Sequence, residues 1–540
     1  MYKKIFISIT IISLFTIKSF SCTSVIITNG ATKDSSAICT YTCDGEFHPI
    51  LKYYPEANHN PNDSVEIVDW SGNPRGKIPQ VPHTYSVVKW MNQHQLAIGE
   101  TTFGGREELH NPDGLLHYED LMQLALQRTK TARDAIKKMI ELTEKYGYRG
   151  EGESFSIVGK KEQWLMEIIG KGPGVKGVIW VAVKVPNGFV TCTANKARIG
   201  DFSKYSEENC MHSDDIKSFA IEKGYFVADS QNTFRFCDVY CPPTAFNRRY
   251  SASRVWSIFR RIAPWQEFST DYHRGVEGAN PYPLWIKPDE KLSVKDVMNL
   301  MRGHYEGTEF DMTKGIDAGP YGSPNRWRPM TLKKGENDYV WERPISTQQT
   351  GYSFISQTRP FMRDEIGGLF WYGVDDTYFT CYVPLYVGIN SIPKPFATGD
   401  FQKFSWDSAW WVFNFVSNYA HLKYSYMMPE IRKVQSYIEN MFLRNQEAVE
   451  TTANLLYEIE DTLATEYLTN YSVGNGEQVV KKWIELGEYL MTKYNDGYVK
   501  NENGRPTEKG YPDEWINRVI KERPEQFKLP NKTDKKFREL

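Results

Sequence analysis

Between Thr23 and Thr193 the residue pattern runs from strands to helices and back to strands, and that order restricts the fold more than any other feature of the chain. Residues 23–28 and 37–43 are rich in β-branched side chains. They flank a loop carrying Asn29-Gly30 and Asp34-Ser35-Ser36, which reads as a hairpin. Further strand-like runs are 85–90 and 95–99. Helical spacing of apolar residues then covers 118–128 and 131–146, the second stopping at Gly147. Strands resume at 154–158, 163–169, 178–185 and 188–193. A helix over 254–262 follows, and another begins at Ser293, where Asp296 completes a capping box. In the last third, 405–424, 429 to about 467 and 477–494 read as helices, with Pro429 suited to a helix start. From Asn495 the chain turns polar and Gly/Pro-punctuated. Segregated strands and helices predict an α+β fold of stacked sheets flanked by helices, with a helical C-terminal part. The expected divisions of the 540 residues are 1–21, 22–400 and 401–540.

Residues 1–21 have the build of a secretory leader. Lys3 and Lys4 precede an apolar stretch over 5–17, and Ser19-Phe20-Ser21 puts small residues at −3 and −1 of a cut. Cleavage after Ser21 makes Cys22 the first residue. Lipoprotein leaders usually carry an aliphatic residue at −3 and a small one at −2. Ser19 and bulky Phe20 favour ordinary cleavage over acylation of Cys22, so a periplasmic or secreted protein is expected, with a lipid anchor through Cys22 as the alternative. No apolar run reaches the roughly 18 residues of a spanning helix, so no transmembrane segment is expected once the leader is cut. The 65 basic and 67 acidic residues are mixed along the chain, without the basic cluster that nucleic acid requires. An aromatic content of 14% excludes a disordered chain.

Several motifs fail on context. Gly172-x-Gly174-x-x-Gly177 fits a dinucleotide fingerprint, but a β-rich run follows where a helix must start, so it reads as a hairpin connection. HExxH and GxSxG are absent. Cys237-x-x-x-Cys241 lacks a second pair at metal-finger spacing and reads as a local bridge or plain burial. His110 and His117 read as loop or cap residues. Neither a metal nor a cofactor is expected. Leaving Cys22 aside, an odd number of the eight cysteines remains, so at least one stays unpaired within a chain.

Cys22 and Asp44 are the pair that survives. A thiol needs a base to become a nucleophile, and an α-amine titrates at about 7.7–8.0. A processed Cys22 therefore carries nucleophile and base on one residue. A hairpin centred near Lys33 sets Asp44 directly across from Cys22, where its carboxylate orients the amine. The other reading of Asp44 is a cap on the strand before Gly45.

These residues carry a family resemblance. Cys22-Thr23-Ser24-Val25-Ile26, Lys33-Asp34-Ser35-Ser36 and Asp44 look like the start of the C69 dipeptidases, N-terminal-nucleophile hydrolases related to penicillin V acylase and bile salt hydrolase. Further matches are the run Asn92-Gln93-His94-Gln95-Leu96-Ala97-Ile98-Gly99-Glu100-Thr101-Thr102, then Gly152-Glu153-Ser154-Phe155-Ser156 and Ala194-Asn195-Lys196-Ala197-Arg198-Ile199. The resemblance is dense from Cys22 to about Arg261 and looser to about Tyr494. It implies an αββα four-layer sandwich over 22–400 and amide hydrolysis of a dipeptide or small peptide through an acyl-enzyme. By position it implies Cys22 as nucleophile, Asp44 orienting its amine, Asn195 donating to the oxyanion and Arg254 steadying the nucleophile. Read without the family, Asn195 is a turn residue and Arg254 a helix-surface ion pair. Glu100 ends an alternating strand and is either a receptor for a substrate ammonium or a strand-end polar residue. One departure stands out: many members have Arg three residues before the Asp, where this chain has Tyr41. Either Arg254 suffices or substrate binding differs. The competing functions are an amidase or acyltransferase on N-acylated small molecules, and a non-catalytic peptide-binding lipoprotein. The oligomeric state stays open, a homo-oligomer included.

Overall fold

The computed structural model of the chain describes residues 22–45, 50–229 and 232–528. The expected leader, 1–21, lies outside the described residues. The strands of the two main sheets include, in chain order, β1 (Ser24–Ile27), β2 (Ala37–Asp44), β3 (Ala97–Gly104), β4 (Gly152–Val158), β5 (Gln163–Gly170), β6 (Val178–Lys184), β7 (Val190–Thr193), β8 (Thr350–Thr358), β9 (Gly368–Val374) and β10 (Val383–Tyr386). The helices that matter here are α1 (Tyr118–Arg128), α2 (Ala132–Tyr146), α3 (Ser253–Ile262), α4 (Ala409–Ala420), α5 (Tyr424–Ile459) and α6 (Asp461–Tyr494).

The pairing is antiparallel throughout both main sheets. The first sheet runs Trp285–Ile286, β7, β1, β2, β8, β9, β10. The second runs Cys210–His212, β6, β5, β4, β3 and then the short strands Met91–Asn92, Val87–Val88 and Tyr53–Tyr54. β1 and β2 pack on β3 and β4, and Ser24 Oγ donates to Ser156 Oγ across the gap at 2.8 Å. α1 and α2 pack against the second sheet, while α4 and α6 pack against the first. The chain is thus a mixed α and β fold with its helices segregated from antiparallel sheets. One apolar core runs from Cys22 to Val499.

Several expectations need correction. The β1–β2 register pairs Ile26 with Cys39 and Ile27 with Ile38, so Cys22 falls opposite Cys43 rather than Asp44. The loop holds a 3-10 turn at Asn29–Ala31 and is not symmetric about Lys33. β8, β9 and β10 have no counterpart in the sequence reading. The helix expected from Pro429 starts at Tyr424, with Pro429 inside it, and ends at Ile459. Glu460, at φ −162°, breaks the chain before α6 begins. The three-glycine segment 172–177 does join β5 to β6 as a hairpin. All eight cysteines are buried and unpaired, Cys237 and Cys241 included.

Candidate active site

Cys22 stands at the head of β1, 1% exposed. β1 pairs with β7 through Ser24–Thr193, and two more steps of that register bring Cys22 alongside Asn195. Asn195 leaves β7 at φ +58°, a left-handed conformation that Asn tolerates better than most side chains. Its Nδ2 donates to Thr102 O on β3 at 2.7 Å. The loop after it is held from below by Glu167 of β5, which accepts from the backbone N–H groups of Arg198 (2.6 Å) and Ile199 (3.0 Å). Burial lifts the Glu167 carboxyl to about 7.

Arg254 binds these strand ends together. It projects from the first turn of α3 and is fully buried. Nη1 donates to Cys22 O at 2.6 Å and Thr23 Oγ1 at 3.0 Å. Nη2 donates to Asn195 Oδ1 at 2.8 Å and Ala194 O at 3.2 Å. Burial and the nearby Arg343 lower its pKa to about 10, so it remains a cation at neutral pH. The surface ion pair considered for Arg254 and the simple turn considered for Asn195 do not describe these contacts.

The one-residue shift in register has a chemical consequence. Directly paired residues share a sheet face, so the Cys22 thiol and the Asp44 carboxylate lie on opposite faces. The thiol points between the sheets. The Asp44 side chain points with that of Thr42, whose hydroxyl accepts from Thr23 N at 3.0 Å and donates to Asp44 Oδ2 at 3.1 Å.

Asp44 is 1% exposed and held by Thr350 Oγ1 at 2.5 Å and by Nη2 of Arg343. Sequence reasoning missed Arg343. It is fully buried, its carbonyl accepts from Tyr305 OH at 2.6 Å, and Tyr305 is hydrogen-bonded to Ser253 of α3 at 2.8 Å. A cation therefore does stand beside the Asp, supplied from residue 343 and not from position 41.

On the other face, Cys22 Sγ lies 3.6 Å from Glu100 Oε1 and 3.7 Å from the Tyr41 hydroxyl, which donates to that same oxygen. Glu153, on the neighbouring strand β4, stands close enough to Glu100 for their carboxyls to hydrogen-bond. It also was missed, although it sits inside one of the matching motifs. Burial first, and then the charge of Glu100, push the Cys22 thiol well above its usual value. Among the described residues no group of three or more His, Cys, Asp or Glu is arranged to hold a metal ion.

Comparison with known proteins adds a second line of observation. A family model described as peptidase family C69 matches residues 53–437, a span containing Glu100, Asn195, Arg254 and Arg343. A "Probable dipeptidase" of Salmonella dublin is 25% identical over 395 residues, covering 69% of this chain and 82% of its own. A "Probable dipeptidase A" of Streptococcus pyogenes serotype M18 (strain MGAS8232) is 23% identical over 504 residues, covering 88% and 98%. A "Dipeptidase A" of Lactobacillus helveticus is 23% identical over 389 residues, covering 71% and 74%.

Proposed function

This chain belongs to peptidase family C69, and from that premise we propose that it is an exported cysteine-type dipeptidase whose nucleophile is Cys22, freed by removal of residues 1–21. The facing antiparallel sheets, with helices packed on each, are read as the αββα sandwich of an N-terminal-nucleophile hydrolase over 22–400.

The observation that carries this reading is the Arg254 guanidinium, which holds the carbonyl of Cys22 and the side chain of Asn195 at once. In the proposed reaction the α-amine of Cys22 takes the thiol proton as sulfur attacks the peptide carbonyl carbon. Asn195 donates to the oxyanion, a contribution of about 3 kcal/mol for a single such donor in a dry site. Collapse of the tetrahedral adduct breaks the C–N bond, and the Cys22 ammonium returns the proton to the leaving amine. Water, deprotonated by the same amine, then attacks the thioester. The second tetrahedral adduct expels the thiolate, which is reprotonated as the acid leaves. Asp44, locked by Arg343 and Thr350 on the face away from the thiol, orients the amine.

Burial raises the Cys22 thiol, so it needs a base at the moment of attack. While a peptide bond precedes Cys22, its nitrogen lone pair is delocalised and cannot take a proton. Cleavage turns it into an amine that titrates near working pH. The experiment is a cytoplasmic protein with a protease-removable block ending at Ser21, assayed on dipeptides before and after release. Activity is expected only after release and is expected to vanish in Cys22→Ala. Equal hydrolysis by blocked and released protein, with mass spectrometry showing the block intact, would rule out the amine as base.

A further inference from the structure

We infer that Glu100 and Glu153 form the subsite for the substrate's α-ammonium, so that the bond attacked is the first peptide bond of a chain with a free amino terminus. This rests on Cys22 as nucleophile and adds the group that decides which carbonyl reaches it.

Each of the two carboxyls has one oxygen held by a hydroxyl donor, and the two carboxyls stand within hydrogen-bonding reach of one another. Tyr41 OH donates to Glu100 Oε1, and Thr102 Oγ1 donates to Glu153 Oε2 at 3.0 Å. The other two oxygens, Glu100 Oε2 and Glu153 Oε1, are buried and receive no donor among the described residues. Both residues are fully buried. Two like charges in such a place repel, and each carboxyl is pushed upward, chiefly by burial. Without a ligand the pair is best served by one shared proton. An ammonium does the same work better, since it carries a full charge and three donors. The site asks for a compact cation.

The distance to sulfur sets which cation. An α-ammonium nitrogen lies about 2.5 Å from its own residue's carbonyl carbon, by standard bond lengths and angles. With that carbon poised about 3–3.5 Å from Sγ for attack, the nitrogen falls within hydrogen-bonding reach of an oxygen 3.6 Å from Sγ, which is where Glu100 Oε1 stands. One residue more between ammonium and carbonyl adds about 3.8 Å and takes the charge out of the pair's reach. Tyr41 also acquires a purpose here. A phenol fixes Glu100 by a hydrogen bond without cancelling its charge, whereas an Arg at position 41 would compete with the substrate's ammonium.

Binding to released Cys22→Ala protein is measured by calorimetry with alanyl-alanine and with propionyl-alanine, which lacks the ammonium and adds no bulk. Alanyl-alanine is expected to bind at least about tenfold tighter, as for a lost charge-assisted hydrogen bond. Adding Glu100→Gln, or separately Glu153→Gln, is expected to shrink that ratio to within about threefold. In the protein with Cys22 intact, Glu100→Gln is expected to act on KM for alanyl-alanine far more than on kcat. Equal affinity of the parent for both ligands would overturn the subsite, as would undiminished discrimination in either Glu variant that retains its folded transition. Dipeptide turnover by Cys22→Ala would sink the nucleophile assignment and leave this binding comparison intact.

Discussion

Asp44 and Arg343 face each other out of water, and removing one partner of such a pair strands the other. Arg343→Ala leaves an uncompensated buried carboxylate, a loss of about 3–5 kcal/mol in stability together with most of the activity. Arg343→Lys keeps the charge but not the planar fork, and is expected to fall between. In the double variant Arg343→Ala/Asp44→Asn the stranded charge is gone, so urea midpoints should recover toward wild type while hydrolysis should not. Failure of the double variant to regain stability would show that Arg343 matters through packing alone. Asp44 stood out from the sequence because a hairpin must bring it back to Cys22, whatever the register. Arg343 did not, because it follows an exposed hairpin, Thr331–Lys334 and Asn337–Val340, in a stretch without periodicity. Nothing local marks an Arg there as paired with a residue some 300 positions away.

Two kinds of element were legible: helices with one wet face, and strands such as β1 and β2, which are buried throughout but marked by β-branched residues on either side of a turn signal. α1 and α2 show their apolar stripe, and α2 is bounded by Thr131, which caps it, and Gly147 at φ +80°. β8 and β9 are buried on both faces, so the alternation that betrays a strand never appears. The turn after β9 carries a testable group. Asp375, at φ +65°, accepts from Asn414 Nδ2 of α4 at 2.8 Å, and burial lifts its carboxyl to about 7. In the unfolded chain an Asp titrates at about 4. Between those values the folded protein holds a proton that the unfolded chain has lost, so stability falls as pH rises, by up to about 1.4 kcal/mol per pH unit, and levels off above 7. Asp375→Asn keeps the acceptor and suits the left-handed backbone. Urea unfolding should find it close to wild type near pH 4.5 and more stable at pH 8. A wild-type advantage at pH 8 would mean that the charged carboxylate is better accommodated than its burial implies. Glu167, also raised to about 7, adds a slope of the same sign in both proteins.

At the scale of the whole molecule, buried ion pairs and apolar packing cross the boundary expected near residue 400. Glu439 of α5 is fully buried beneath the first sheet. It accepts from Arg302 Nη1 at 3.1 Å and Nη2 at 2.5 Å, Lys295 Nζ at 2.8 Å and the backbone of Tyr382 at 3.2 Å. About three turns further along the same helix, Glu450 takes Arg359 Nη1 at 2.5 Å, while the rest of that guanidinium is spent on the carbonyls of Ile366 and Gly367. Both arginines come from the part of the chain before residue 400 and both carboxylates from the part after it. Ending the chain there strips the apolar cover from β9 and β10 and leaves two guanidinium groups without their anions. At about 3–5 kcal/mol for each broken buried pair, against a typical total of about 5–15 kcal/mol for a domain, residues 22–400 alone are expected to show no cooperative thermal transition. Glu439→Gln in the full chain isolates the charge from the cover: it keeps size and acceptor but not the anion, and its unfolding free energy from urea titration should drop by about 3–5 kcal/mol with the Cys22 chemistry unaltered in kind. A soluble, cooperatively melting 22–400 fragment that hydrolyses dipeptides would show instead that the catalytic sheets need neither the ion pairs nor the helices laid over them.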